Sequence, residues 1–184
     1  MAADEGGPDA GSRRMERALD QLEIRDVIYR YCRGIDRRDF ELVRSCYHPD
    51  AIDDHGNFCG GRDEFVTYVS SRLVRFERTM HVIGNVLIEP VGDQARAESY
   101  IVAYHRLAGE ADGPARDLIV GLRYVDDFER RDGEWRIAAR MCVFEWSRVD
   151  PVADGWTVSA AASFGRTDGT DPVFAPSVRN LFPS

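Results

Sequence analysis

One of the four histidines in this chain, His81, lies in a run that is otherwise largely apolar, Thr79-Met80-His81-Val82-Ile83-Gly84-Asn85. An isolated imidazole there is either a hydrogen-bonded core residue or a base, and spacing alone favours the core reading. A carboxylate on one ring nitrogen changes that weighting: it fixes the tautomer, raises basicity and leaves the other nitrogen free to move a proton. Asp36 is the candidate partner. It falls at the C-terminal end of the first expected helix, where the helix dipole disfavours an acid. Either Arg33, Arg37 or Arg38 pairs with it in solvent, or a buried group holds it. Arg140 is expected to share a strand face with Ala138, Cys142, Phe144 and Trp146. A guanidinium on such a face needs an anion, which is either a buried carboxylate or a substrate oxygen. Tyr31 is by default a core tyrosine, and alternatively adds a hydroxyl to the same cavity.

The remaining histidines carry weaker signals. His105, beside Arg106 near a strand end, either lines the cavity or faces solvent. His48 precedes Pro49 and is expected to cap helix carbonyls. Asp53-Asp54-His55 has metal-ligating residue types, but neighbouring strand residues point to opposite faces. A polar strand-to-turn segment, with no bound metal, is the expectation. Cys32, Cys46, Cys59 and Cys142 show no Cys-x-x-Cys spacing and read as reduced, mostly buried thiols.

These side chains need elements to position them. Residues 1–14 are polar and acidic and read as a disordered leader. Leu19, Leu22, Val27, Ile28, Tyr31 and Ile35 recur at helical spacing, so a helix is expected from Met15 to about Ile35, loosened by Gly34. A short helix follows, capped by Asp39 and stopped by Pro49, and then a short strand over Ala51–Asp54. A third helix, capped by Asp63, carries Phe65, Val66, Val69 and Leu73. Beyond residue 78 the pattern changes to period two over Thr79–Pro90, Ala95–Leu107, Arg116–Arg130 and Glu134–Arg148. Gly92-Asp93, Asp112-Gly113-Pro114 and Asp132-Gly133 punctuate these runs, which predicts an antiparallel meander. Helices followed by a sheet define an α+β domain over residues 15–150. Trp156, Phe164, Val173, Phe174 and Phe182 make residues 151–184 an extended tail expected to pack on it.

Composition narrows the chemistry. All 24 basic residues are arginine. With no lysine in the chain, Schiff-base catalysis through a lysine amine is excluded, and so is a P-loop. Against 32 acidic residues the net charge is −8, which argues against nucleic acid and anionic membranes as partners. With neither a signal-type stretch nor a membrane-length apolar run, a cytoplasmic location is expected.

Tyr31-x-x-x-x-Asp36, the following Asp39-Phe40-Glu41, the Met80-His81 strand and the stretch from Tyr124 to Ile137 together resemble the nuclear-transport-factor-2-like superfamily. The similarity is to its SnoaL-like group, which contains scytalone dehydratase, bile-acid 7-alpha-dehydratase and gamma-hexachlorocyclohexane dehydrochlorinase. The resemblance spans roughly Leu19 to Trp146. It implies a cone-shaped, cystatin-like α+β fold, in which a curved antiparallel sheet wraps a pocket closed by the N-terminal helices. It also implies an Asp36–His81 dyad, with Tyr31 matching the bile-acid enzyme's pattern and Arg140 that of the dehydrochlorinase. The second acid of the dehydratases falls near Tyr104, with His105 adjacent.

The expected function is a cofactor-independent lyase of dehydratase type. Its catalytic residues would be Asp36, His81, Tyr31 and Arg140, and Tyr104, His105, Phe144 and Trp146 would line the pocket. The expected substrate is a small apolar or aromatic hydroxy-carbonyl compound. An isomerase or polyketide cyclase using the same dyad, and a non-catalytic binding or assembly module, are the alternatives. Apolar residues on the outer sheet face lead to the expectation of a homo-oligomer, a dimer or trimer.

Overall fold

A computed structural model describes residues 9–107, 114–152, 159 and 162–177. Helix α1 (Ala10–Arg37) starts at Asp9, whose carboxylate accepts from the Ser12 amide at 2.7 Å. The helix therefore begins within the segment expected to be a leader, whose residues 1–8 lie outside the described residues. Its buried stripe runs through Ile24, Val27, Ile28, Tyr31, Cys32 and Ile35, the spacing of one helix face. Gly34 does not end the helix; it admits the next one. A Cβ at Gly34 would stand 2.8 Å from Cγ2 of Val43, so close packing demands glycine. The helix ends at Arg38, in the left-handed region at φ 53°. Its guanidinium donates to the carbonyls of Leu73 and Phe76 at 3.0 and 2.6 Å.

Asp39 caps α2 (Phe40–Ser45), accepting from the Leu42 amide at 3.0 Å. By Tyr47 the chain is already in β1 (Tyr47–Asp54). His48 is therefore a strand residue and not a helix cap, and its Nε2 meets the Glu129 carbonyl at 2.9 Å. Strand β2 (Cys59–Gly61) leads into α3 (Arg62–Leu73), whose first turn closes when the Gly61 amide donates to Glu64 at 2.9 Å. Asp63, the expected cap, lies one step inside, where an acid still complements the helix dipole.

The long strands are β3 (Phe76–Val91), β4 (Gln94–Leu107), β5 (Arg116–Arg131) and β6 (Glu134–Pro151). They form the antiparallel meander of a six-stranded sheet ordered β2-β1-β6-β5-β4-β3, in which β1 joins β6 in parallel. Asp132 and Gly133 close the last hairpin with positive φ of 53° and 81°, the backbone that suits a tight turn. Residues 112 and 113 of the expected middle turn lie outside the described residues.

Bulges curve the sheet. Ile83 and Val86 face Ile101 and Ser99, so β3 carries one extra residue there. In β6, Ala138 is extra between the Ile137–Phe128 and Ala139–Asp127 pairs, and Glu145 is extra between the Phe144–Leu122 and Trp146–Gly121 pairs. Each bulge bends its strand and increases the local twist. The concave side presents His81, Ala103, Leu122, Tyr124, Asp126, Phe128 and Arg140, and the helices cover it to form the core. The convex side exposes Met80, Val82, Tyr100, Val102, Met141 and Trp146.

Part of the tail packs where α1 meets β3. Asp171, buried, pairs with Nε of Arg37 at 3.2 Å and caps a 3-10 turn at Pro172–Phe174. Arg78 lies over the Phe164 ring and Arg33 over Phe174. Trp156 and Phe182 lie outside the described residues. Among the described residues no helix is long and apolar enough to cross a membrane.

Candidate functional site

Asp36 is held from three sides. Its Oδ1 accepts from Nδ1 of His81 at 2.7 Å and from the Thr79 hydroxyl at 3.2 Å, and its Oδ2 accepts the His81 amide at 2.9 Å. The neighbouring arginines are engaged elsewhere: Arg37 with Asp171, Arg38 with carbonyls, Arg33 with Phe174. The buried alternative for Asp36 is therefore the one realised. Burial pushes its carboxyl upward, but the hydrogen bonds and charge of His81, with help from Thr79, hold it below the ordinary carboxylate value. An ionised Asp36 keeps the proton on Nδ1 and leaves a lone pair on Nε2, which has no hydrogen-bond partner among the described residues. Asp36 and His81 border a cleft of about 290 Å³ between α1 and β3, shared with Tyr29, Cys32, Ile83 and Val173.

His105 joins this group. Strand pairing sets it opposite Thr79, its ring stacks on Phe76 at 4.6 Å, and it meets His81 edge-on at 5.6 Å. Burial, reinforced by the charge of His81, lowers it to about 4, so it is neutral at pH 7. Its Nδ1 is buried without a partner. Tyr104, one residue away, points to the opposite face, as strand alternation requires. There its hydroxyl donates to Asp117 at 2.8 Å. It is not beside the dyad.

Tyr31 and Arg140 form a second group. The Arg140 side chain is sealed from solvent and pairs with Asp126 through two hydrogen bonds of 2.7 Å. Of the two anions that Arg140 could seek, the carboxylate is the one present. The guanidinium lies between the rings of Tyr31 and Tyr124, 4.1 and 4.0 Å from their centroids, a stacking that suits a planar cation. Its Nη1 is buried and unpartnered. Burial raises the Tyr31 phenol well above its usual value, so it stays protonated. Tyr31 and Asp36 are five residues apart on α1 and so diverge around the helix; the Tyr31 ring packs on Tyr47, Phe65 and Tyr124.

The bulges correct the expected face of β6. Ala138 drops out of the inward row because it is the extra residue, and the bulge at Glu145 turns Trp146 to the convex side, over Gly121. Phe144 does face inward, half-exposed, against Gly56.

Asp53, Tyr47 and His55 complete the interior. Asp53 is fully buried, accepts the Tyr47 hydroxyl at 2.7 Å and is hydrogen-bonded to Nδ1 of His55. Asp54 turns away to accept the Gly56 amide, so the three residues do not converge on an ion. Among the described residues no three histidine, cysteine or acidic side chains do. Burial raises the thiols of Cys32 and Cys46 to about 12 and about 11, which leaves them unreactive. Asp126 escaped the sequence reading, although it alternates with Tyr124 and Phe128 just as Arg140 does with Cys142.

Asp36 and His81 thus meet where α1 packs on β3, in a curved sheet whose concave side the helices cover. Residues 16–141 match the SnoaL-like domain model, and the chain belongs to that family. It is 30% identical over 125 residues to the uncharacterized protein Rv2910c of Mycobacterium tuberculosis, covering 66% of this chain and 83% of that one. Solved structures share the fold. A scytalone-dehydratase-like protein of Novosphingobium aromaticivorans superposes with a TM-score of 0.65 at 23% identity, over 82% of this chain and 96% of its own. The hexachlorocyclohexane dehydrochlorinase LinA-type3 of Novosphingobium barchaimii gives 0.65 at 20%, over 79% and 99%.

Proposed function

We propose that the protein is a cofactor-independent lyase of dehydratase type acting on a small apolar or aromatic hydroxy-carbonyl compound. The observation that carries this reading is the 2.7 Å hydrogen bond from Nδ1 of His81 to a carboxylate that the His81 amide and Thr79 also hold. Nε2 of His81 removes a proton from the carbon next to the carbonyl, and Asp36 stabilises the resulting imidazolium. Neutral His105, at its side, can donate a hydrogen bond to the developing oxyanion. The dehydratase- and dehydrochlorinase-named structures of the same fold support elimination over other proton transfers.

The test uses the aldol adduct of acetone and benzaldehyde, whose dehydration to benzylideneacetone is followed by absorbance. His81→Gln and Asp36→Asn are expected to lower the rate on the order of 10²–10⁴-fold with little change in melting temperature. A loss of several degrees in melting temperature without a loss of rate would make the pair structural.

A further inference from the structure

The cleft beside the dyad has a third wall. Helix α1 lines it with Cys32 and Asp36, and β3 lines it with His81 and Ile83. Val173 belongs to neither element; among the described residues it is the tail's contribution to the lining. It is half-exposed, so it borders the cleft on one side and meets solvent on the other. At about 290 Å³ the cleft lies at the lower end of the usual range for ligand sites, roughly 300–1,000 Å³. In so small a site each methyl group on the rim counts.

The tail is fastened on both sides of Val173. Before it, buried Asp171 pairs through Oδ2 with Nε of Arg37 at 3.2 Å and accepts the Arg166 amide at 2.8 Å. Its Oδ1 accepts the amide of Val173 itself at 3.0 Å. Pro172, between the two, has its φ fixed by its ring. After Val173, the Phe174 amide donates to the Asp171 carbonyl at 3.0 Å, and the Arg33 guanidinium lies 5.6 Å from the centroid of its ring. Arg33 and Arg37 are one turn apart on α1, and Asp36 lies between them. The arginines on either side of the dyad carboxylate therefore hold the tail on either side of Val173.

We propose that Val173 is a specificity-determining residue of the His81 cleft, limiting the substituent beside the reacting carbons to about the size of a single ring. This rests on the reading of Asp36 and His81 given above. Asp171 is a positioning residue that acts through Val173, by fixing its backbone against α1. The remaining lining is tied to the dyad or to the packing of α1 on β3. Val173 is the part of the wall whose size can change without moving the proton-transferring groups.

The test compares the aldol adducts of acetone with benzaldehyde and with the bulkier naphthaldehyde, using the full chain. The unaltered protein is expected to prefer the phenyl adduct in kcat/KM. Val173→Ala should raise the naphthyl-to-phenyl ratio by about tenfold or more, and Val173→Phe should lower it. Asp171→Ala frees the tail with Val173 in place and should relax the same preference, through KM rather than kcat. Asp171→Asn keeps an oxygen for the Val173 amide and should retain part of it. A ratio that neither Val173 variant moves would overturn the proposal. A lower melting temperature in Asp171→Ala at an unchanged ratio would overturn the positioning role.

Binding separates this proposal from the lyase reading. Benzylideneacetone and its naphthyl counterpart are titrated into the same proteins by calorimetry. If neither adduct is turned over but Val173→Ala still shifts the relative affinity of the two ketones towards the larger, the lyase reading fails and the wall stands. Turnover of both adducts with a ratio indifferent to residue 173 overturns the wall and leaves the lyase reading. Neither binding nor turnover overturns both.

Discussion

Two carboxylate pairs of this protein have the same 2.7 Å separation and differ in accessibility. In Asp126–Arg140 neither side chain has any exposure, whereas in Asp36–His81 the values are 13% and 7%. Arginine does not give up its proton, so the sealed pair offers no base and acts as a strut between β5 and β6. Histidine, unlike arginine, can pass a proton on, and the cleft beside His81 supplies a route. The difference teaches that, at equal geometry, the titrating partner and an opening decide which pair can do chemistry.

The comparison breaks at once if His81→Gln fails to lower the elimination rate, for which a 10²–10⁴-fold loss is expected at nearly unchanged stability. Arg140→Ala should behave in the opposite way. It strands Asp126 in the core and is expected to cost about 3–5 kcal/mol of unfolding free energy, read by urea denaturation. Replacing the pair by Met at 140 and Leu at 126 should recover most of that loss, since the desolvation penalty disappears with the charges. A smaller effect concerns His105. Its folded value of about 4 lies below the ordinary 6.5, so the unfolded chain takes up its proton first. The stabilising contribution is complete above pH 6.5 and is lost as pH falls towards 4, by up to roughly 3 kcal/mol. His105→Phe should flatten that part of the stability profile, as measured by melts across pH. The smallest expected change is Asp39→Ala, which removes the α2 cap, bonded to the Leu42 amide and to neither pair, and should cost about 1 kcal/mol, read by urea denaturation.

The dyad was legible because each member contradicts its own surroundings: an imidazole in an apolar strand, and an acid where a helix dipole opposes it. The same logic reaches Asp126 through its alternation with Tyr124 and Phe128. It fails at Trp146, because a bulge follows from the curvature of the whole sheet and leaves no local mark at Glu145. The Asp53–His55 pair was hidden for a related reason. Alternation correctly separated Asp53 from Asp54, but the turn at Gly56 brings His55 back to its neighbour two residues away. The tail anchor, Asp171 on Arg37, joins residues too distant in the chain for any pattern to connect them.

The bulge at Ala138 has a genetic reading. Because it is one extra residue opposite an unbroken β5, deleting its codon would leave Arg140 facing Asp126 and every later β5–β6 pair intact, while β1 on the other side would have to adjust its own register shift between Tyr47 and Ile52. The bulge at Glu145 has the same property. The width of the cone is therefore encoded separately from the identity of the residues that line it. Descendants of this fold can widen or narrow their cavities one codon at a time while inheriting the same set of facing side chains.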